Sequence, residues 1–332
     1  MREMFPITAQ SNTASTGGNP SLSDFAMRET EPSGLLVLDK PEGMTSSTLV
    51  TRVKKLLGLR KAGHCGTLDP FATGVLLVCV NQATRFAEQL TGQAKVYRFT
   101  AHLGIETDTL DRTGRVVRTC DDVAPSEREL LEAMRLHQGT QVQEVPRYAA
   151  VKVQGKRLYE LARKGIDVEP PRREVHIHRF DLIAYRYPEV VLETKCSKGT
   201  YVRQLAADLG RRLGCGAHVM HLRRLACGPF GLERASSLEQ LHDGASDGSW
   251  LTKLVPMADA LSHLPALTIE DGQILSRLRY GQLDADWEAE HSGRFSRGGG
   301  PVRIVTADGR LAALWWPWPE SEHQRRLRVF QL

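Results

Sequence analysis

The 332-residue chain holds six cysteines, and no two of them form a Cys-x-x-Cys pair. They stand at positions 65, 79, 120, 196, 215 and 227, scattered through apolar or glycine-rich surroundings. That spacing excludes a disulfide-framed small scaffold and a zinc finger, and it predicts a reducing, cytoplasmic location. No apolar run approaches the roughly 20 residues that a membrane helix requires. The N-terminus lacks a basic stretch followed by an apolar one, so no secretory signal is expected. Neither G-x-G-x-x-G nor G-x-x-x-x-G-K-[ST] occurs, so a nucleotide cofactor is not indicated. His176 and His178 alternate, and His218 and His221 lie three apart, but no carboxylate or cysteine completes either set. No metal is therefore expected. There is no internal repeat.

What is present is a chain of 41% apolar residues and a net charge of +5, long enough for a substantial core and a second domain. The charge is unevenly distributed. Between residues 195 and 224 lie Lys195, Lys198, Arg203, Arg211, Arg212, Arg223 and Arg224 against a single acid, Asp208. A cluster of this kind fits either a polyanion-binding face or a solvated helix face. Residues 1–33, rich in Ser, Thr, Gly, Asn and Pro, read as a disordered extension, and Met27 is an alternative start. Two further divisions are expected, 34–255 and a small β-rich domain over 256–332, where Leu314-Trp315-Trp316-Pro317-Trp318 precedes Arg325, Arg326 and Arg328. Basic and aromatic residues together suit nucleic acid, although the tryptophans also read as a core.

Leu35 to Asp39 reads as a buried strand. Ser46 or Ser47 is expected to cap a helix that carries Leu49, Val50, Val53, Leu56 and Leu57 at the 3.6-residue period. Ala83 to Leu90 reads as a short helix. Lys95 to Gly104 alternates as a strand with Tyr97, Phe99, Ala101 and Leu103 on one face, which makes Tyr97 a plain core aromatic. Helices are also expected from Ser126 and over 157–164, with strands over 148–154, 175–185 and 190–196. A helix after Thr200 buries Val202, Leu205, Ala206 and Leu209. That helix puts Arg203 in the first turn, where the helix dipole disfavours a cation, so an anionic partner such as a phosphate or Asp69 is expected, the other reading being a solvated Arg on an exposed face. Helices mixed with many paired strands predict an α+β fold.

The most informative stretch is Gly63-His64-Cys65-Gly66-Thr67-Leu68-Asp69-Pro70-Phe71-Ala72-Thr73-Gly74-Val75. Its glycines and proline mark a tight irregular loop, and Val75 to Val80 reads as a fully buried strand. Asp69 is thereby held on a stiff loop at the edge of a core, although an Asp before Pro also commonly starts a turn.

Several segments together resemble the TruB family of tRNA pseudouridine synthases. They are Leu36 to Ser46, Gly63 to Val75, Lys95 to Arg98, Gly155 to Glu160, Cys196 to Arg203, Gly214 to Val219 and Leu222 to Leu225. The likeness runs through roughly residues 34 to 235, in order, and is weak over the last 65 or so. It implies a catalytic domain built on a mixed, mainly antiparallel sheet, followed by a PUA-like C-terminal domain. It also implies isomerisation of uridine 55 in the TΨC loop of tRNA to pseudouridine, with base flipping and with neither cofactor nor metal. Asp69 matches the catalytic aspartate and Arg203 its ion-pair partner. Tyr97 matches the tyrosine that stacks on the flipped uracil, and Tyr201 and Leu222 match other residues of the base pocket. His64 matches the histidine that displaces and holds loop nucleotides. The basic segment then supplies phosphate contacts. The expected partner is the tRNA T-arm stem-loop, the expected state a monomer. Two departures are Cys65 in place of Thr, which is expected to make activity thiol-sensitive, and Arg85 in place of Lys. Two other readings compete: an RNA-binding folding helper, which needs only the basic face, and an Asp-based hydrolase, which lacks a second acid partner here.

Overall fold

The computed structural model describes residues 31–120, 122–153, 155–166, 168–319 and 326–331. The extension expected over 1–33 lies, up to residue 30, outside the described residues. In chain order the first elements are β1 (Gly34–Lys40), α1 (Ser46–Leu56), β2 (Ala62–His64), β3 (Thr73–Val80), α2 (Ala87–Thr91) and β4 (Lys95–Leu103). Next come β5 (Ile105–Thr107), β6 (Val116–Thr119), α3 (Glu127–Arg135), β7 (Gly139–Glu144), β8 (Lys152–Val153), β9 (Lys156–Arg157) and α4 (Leu158–Arg163). Then follow β10 (Arg172–Arg186), β11 (Glu189–Cys196), α5 (Val202–Arg212), β12 (Ala217–Cys227), β13 (Phe230–Gly231), α6 (Leu238–Asp243), β14 (Val255–Pro256) and α7 (Met257–Ala260). The chain closes with β15 (Ala266–Ile269), α8 (Gly272–Arg279), α9 (Ala285–Ser292), β16 (Val302–Thr306), β17 (Leu311–Trp315) and β18 (Leu327–Val329).

A ten-stranded sheet forms the body, in the order β14-β1-β3-β12-β4-β11-β10-β7, with β2 added to β3 and β13 to β12. Its pairings are antiparallel except one: β3 runs parallel to β12 where Thr73 and Gly74 face Arg223 and Arg224. The fold is thus α+β on a mixed, mainly antiparallel sheet. Leu35 to Leu38 of β1 and Val75 to Val80 of β3 are unbroken apolar runs because both of their faces are covered. Leu36, Leu38, Leu76 and Val78 pack with Leu49, Val50 and Val53 of α1. Leu35, Val37, Leu77 and Cys79 pack on the opposite face with Phe86 and Phe230. β4 alternates as its period predicts, and Tyr97, Phe99, Ala101 and Leu103 join Val202, Leu205, Ala206 and Leu209 of α5 in one cluster.

Three local expectations are corrected. Thr45 caps α1, its hydroxyl accepting from the Thr48 N–H at 3.0 Å, because Ser46 is turned inward. The strand expected over 148–154 shortens to the two residues of β8, which pair with β9 in a small hairpin. The expected helix over 83–90 begins as a 3-10 segment, Asn81–Phe86, before α2.

The C-terminal strands form a separate four-stranded sheet, β15-β16-β17-β18, whose first pairing is parallel. Leu311, Leu314, Trp316 and Phe330 enter the cluster beneath β1 and β3, and the Phe330 ring meets Phe86 at 5.9 Å, so the two sheets share a core. Arg85 reinforces that seam by donating to the Val329 carbonyl at 2.6 Å. Trp315 and Trp316 are buried, Trp315 against Trp287 and Phe295, which settles their reading as core. Among the described residues, no helix is long and apolar enough to cross a membrane.

Candidate active site

The loop between β2 and β3 is fastened from three sides. The Ser46 hydroxyl accepts from the Leu68 N–H at 2.9 Å and donates to the Leu68 carbonyl at 3.2 Å. Lys40, fully buried, donates to the carbonyls of Pro41, Met44 and Pro70 at 2.8, 2.6 and 3.3 Å. Arg224, also buried, donates to the carbonyls of Val75 at 2.6 Å and Gly66 at 3.2 Å. Burial pushes the Lys40 ammonium down to about 8; Asp69 and Glu42 oppose that shift and Arg224 adds to it. The Ala72 N–H returns to the Asp69 carbonyl at 3.1 Å and closes the turn that sequence reasoning allowed for.

Gly74 makes the parallel junction possible. It sits at φ +103°, and a Cβ there would lie 2.2 Å from the Arg224 carbonyl oxygen. Gly74→Ala is therefore expected to cost about 3 kcal/mol or more through backbone strain and forced separation of β3 from β12. A urea titration checks this, and a midpoint within error of the parent chain would contradict it.

Asp69 points from this loop at Arg203. Nη2 of Arg203 donates to Oδ1 at 3.2 Å, and Nε lies 2.9 Å from Oδ2 as an ion pair without hydrogen-bond alignment. The same guanidinium donates to the carbonyls of Thr109 at 2.7 Å and Tyr148 at 3.2 Å, and it stands 3.4 Å from Asp111 Oδ2. Arg203 and Asp111 are almost wholly buried, whereas the Asp69 side chain is 33% exposed. The three groups form a carboxylate–guanidinium–carboxylate bridge, and only Asp69 faces solvent. A cation in the first turn of α5 is tolerated because two carboxylates compensate it. Asp111 is tied in turn by the hydroxyls of Thr109 and Thr113, which donate to its Oδ1 at 2.9 and 2.6 Å.

Above Asp69 opens a cavity of about 320 Å³. Its lining contains Asp69, Tyr97, Tyr201, Arg203 and Leu222, five of the six residues singled out from sequence, together with Lys95 and Arg224. β4 carries Tyr97, β12 carries Leu222 and the entry to α5 carries Tyr201, so three separate segments supply its walls. Burial raises the phenol pKa of Tyr97, against the pull of neighbouring Arg224. Burial likewise raises that of Tyr201, opposed by Arg173, whose guanidinium lies 5.3 Å from the ring centroid, and by Arg203. Both rings are therefore neutral apolar surfaces at pH 7, with a polar tip. His64 does not line the cavity. It sits on β2, its Nδ1 buried without a partner, and burial together with Arg224 lowers its pKa and favours the uncharged ring.

Lys40, Asp111 and Arg224 were not singled out as site residues from sequence. A fixed role for a buried lysine or arginine leaves little trace in one chain, although the helix-dipole conflict at Arg203 pointed to a missing anion. The basic cluster is also less of a surface than its composition suggests. Arg203 and Arg224 are buried, Arg223 pairs with Asp39 at 2.6 Å and Arg211 with Asp208 at 2.6 Å. Lys195, Lys198 and Arg212 remain exposed. Cys65 is fully buried with its Sγ 3.3 Å from that of Cys79, which removes the expected route to easy thiol modification. Among the described residues, no group of three or more His, Cys, Asp or Glu side chains stands together as a metal site.

Residues 54–202 match the model of the TruB family pseudouridylate synthase N-terminal domain, and residues 203–262 match that of the tRNA pseudouridylate synthase B C-terminal domain. The tRNA pseudouridine synthase B of Syntrophobacter fumaroxidans is 95% identical over 306 residues, 92% of this chain and 100% of that one. Its counterpart in Geobacter sulfurreducens is 42% identical over 307 residues, 90% of this chain and 99% of that one. Among solved structures, a Cbf5-Nop10-Gar1 complex aligns with TM-score 0.67 and 27% identity over 90% of this chain and 84% of that chain. An H/ACA RNP bound to a substrate RNA containing 2′-deoxyuridine aligns with TM-score 0.65 and 26% identity over 90% of this chain and 84% of that chain. With both family domains matched in sequence order across the Asp69 loop, the cavity and β12, the chain belongs to the TruB family of tRNA pseudouridine synthases.

Proposed function

We propose that the protein isomerises uridine 55 in the TΨC loop of tRNA to pseudouridine, with Asp69 as the nucleophile. The observation that carries this reading is a carboxylate, one-third exposed, gripped by a buried guanidinium on the floor of a cavity walled by Tyr97, Tyr201 and Leu222. In the reaction the N1–C1′ bond breaks, the uracil turns, and C5 bonds to C1′. The hydrogen leaves C5 as a proton and N1 gains one, so the change is redox-neutral and needs no cofactor. A covalent adduct with Asp69, formed at C1′ or at C6, holds one fragment while the base rotates; proton abstraction from C2′ by the same carboxylate is the third route open to it.

A base inside a folded RNA must be flipped out to reach Asp69, at a cost of a few kcal/mol. The rings of Tyr97 and Tyr201 and the Leu222 side chain offer the apolar faces that replace lost stacking. His64, uncharged and five residues before Asp69, is assigned to the loop nucleotides outside the cavity. The solved H/ACA RNP carrying a deoxyuridine RNA supports an RNA uridine as occupant. Lys195, Lys198 and Arg212 are assigned to phosphates, and residues 256–332 to a PUA-like RNA-binding domain, on which Tyr280 is 82% exposed. The proposed reaction is that of a monomer in the cytoplasm, a reducing compartment that suits six unpaired cysteines. A T-arm stem-loop tests the substrate assignment. It is expected to bind with an affinity that falls linearly on a log–log salt plot and to be converted at position 55. Conversion only at another uridine would overturn the assignment.

A further inference from the structure

The start of α5 carries both Tyr201 and Arg203, yet it lacks the usual means of fixing a helix N-terminus. Tyr201 occupies the cap position with no side-chain cap, and the first turn holds no acid. The Thr200 hydroxyl is directed back to the Ser197 carbonyl at 3.0 Å. What holds this turn is a side chain from another element, Gln143 of β7, 2% exposed. Its Oε1 accepts from the Tyr201 N–H at 2.8 Å, and its Nε2 donates to the Tyr201 carbonyl at 3.1 Å. β7 is the last strand of its sheet, and this amide gives Tyr201 the two-bond pairing that a neighbouring strand would have given its backbone.

We propose that Gln143 is a positioning residue for the isomerisation, acting through the Tyr201 backbone to set where Arg203 meets Asp69. The orientation of the amide is fixed by its partners, since a peptide N–H only donates and its carbonyl only accepts. From Tyr201 the chain advances two residues to Arg203, whose guanidinium must reach Asp69, Asp111 and the carbonyls of Thr109 and Tyr148 at once. Tyr148 follows β7 by four residues, so the strand that carries the clamp also leads to one of the acceptors that the guanidinium uses. A displacement of about 1 Å at a reacting group can cost on the order of 100-fold in rate. Releasing Tyr201 therefore loosens Tyr201 against the base and Arg203 against Asp69 together.

This inference rests on Asp69 and Arg203 being the reacting pair, and it is tested in two near-isosteric variants. Gln143→Met removes both bonds. Gln143→Glu keeps an acceptor for the Tyr201 N–H but sets an oxygen against the Tyr201 carbonyl. Single-turnover conversion of tRNA at saturating protein is compared with tRNA affinity, beside the parent chain and Asp69→Asn. Each folded variant is expected to lose about 30- to 100-fold in rate while binding tRNA within threefold of the parent. A purely structural role would instead lower the folded fraction and leave the rate per folded molecule unchanged. A rate within threefold of the parent in either folded variant overturns the proposal, as does a loss confined to tRNA affinity. Where Gln143→Met does not fold, the Gln143→Glu rate decides. An Asp69→Asn protein as active as the parent would instead overturn the reading of the reacting pair.

Discussion

Asp69→Asn is expected to lower the single-turnover rate of pseudouridine formation by at least on the order of 10⁴-fold, as removal of a nucleophile does elsewhere, with tRNA affinity within about threefold of the parent. The replacement is near-isosteric, and at this partly exposed position it keeps a carbonyl oxygen for Arg203 to donate to. What it removes is the negative charge and the nucleophilic lone pairs. Loop geometry should survive because Ser46, Lys40 and Arg224 hold backbone atoms rather than the Asp69 carboxylate. The same variant separates the enzyme from an RNA folding helper that needs only binding. Quench times spread from seconds to hours measure the rate, and filter binding measures the affinity. Residual activity within tenfold of the parent would remove Asp69 from the chemistry.

Arg203 gives the second large effect, and here charge and geometry can be separated. Arg203→Met leaves the buried Asp111 Oδ2 facing no cation and frees the carbonyls of Thr109 and Tyr148. Breaking a buried pair in this way costs about 3–5 kcal/mol, so the variant is expected to unfold at markedly lower urea. Arg203→Lys restores the charge but not the fork. One ammonium with three protons cannot reach Asp69, Asp111 and two carbonyls in the directions that a planar guanidinium serves. The lysine variant is therefore expected to recover most of the lost stability and still turn over at least about 100-fold more slowly. Urea midpoints and single-turnover rates on both proteins check this. A lysine variant within tenfold of the parent rate would mean that Arg203 acts only as a nearby positive charge.

The site was legible in the sequence where its chemistry required unusual local residues. Glycines and a proline around a lone carboxylate marked the Asp69 loop, and a cation against a helix dipole pointed to an acidic partner for Arg203. β1, β3 and β4 were legible from their burial patterns for the same reason, that period and burial act within a few residues. β12 was not recognised as a strand, because His218, His221, Arg223 and Arg224 interrupt its apolar pattern. In the fold those residues have distant partners: the His218 Nδ1 stands 3.0 Å from the Ile105 carbonyl, Arg223 meets Asp39, and Arg224 meets the glycine loop. β7 was missed because it is an edge strand, with Val142 exposed and Gln143 buried for a hydrogen-bonding purpose. Partners thirty or more residues away leave no periodic trace. That is why Lys40, Asp111, Gln143 and Arg224 emerge as parts of the site only in three dimensions.

Pseudouridine mapped across a full-length, unmodified tRNA transcript after incubation with the purified protein tests the role of Asp69 most directly. The parent chain is expected to produce pseudouridine at position 55 and nowhere else. Asp69→Asn at equal concentration, with the tRNA bound, is expected to produce none. Conversion at 55 by both proteins, or by neither, would contradict the assignment of Asp69 as the group that reacts with that uridine.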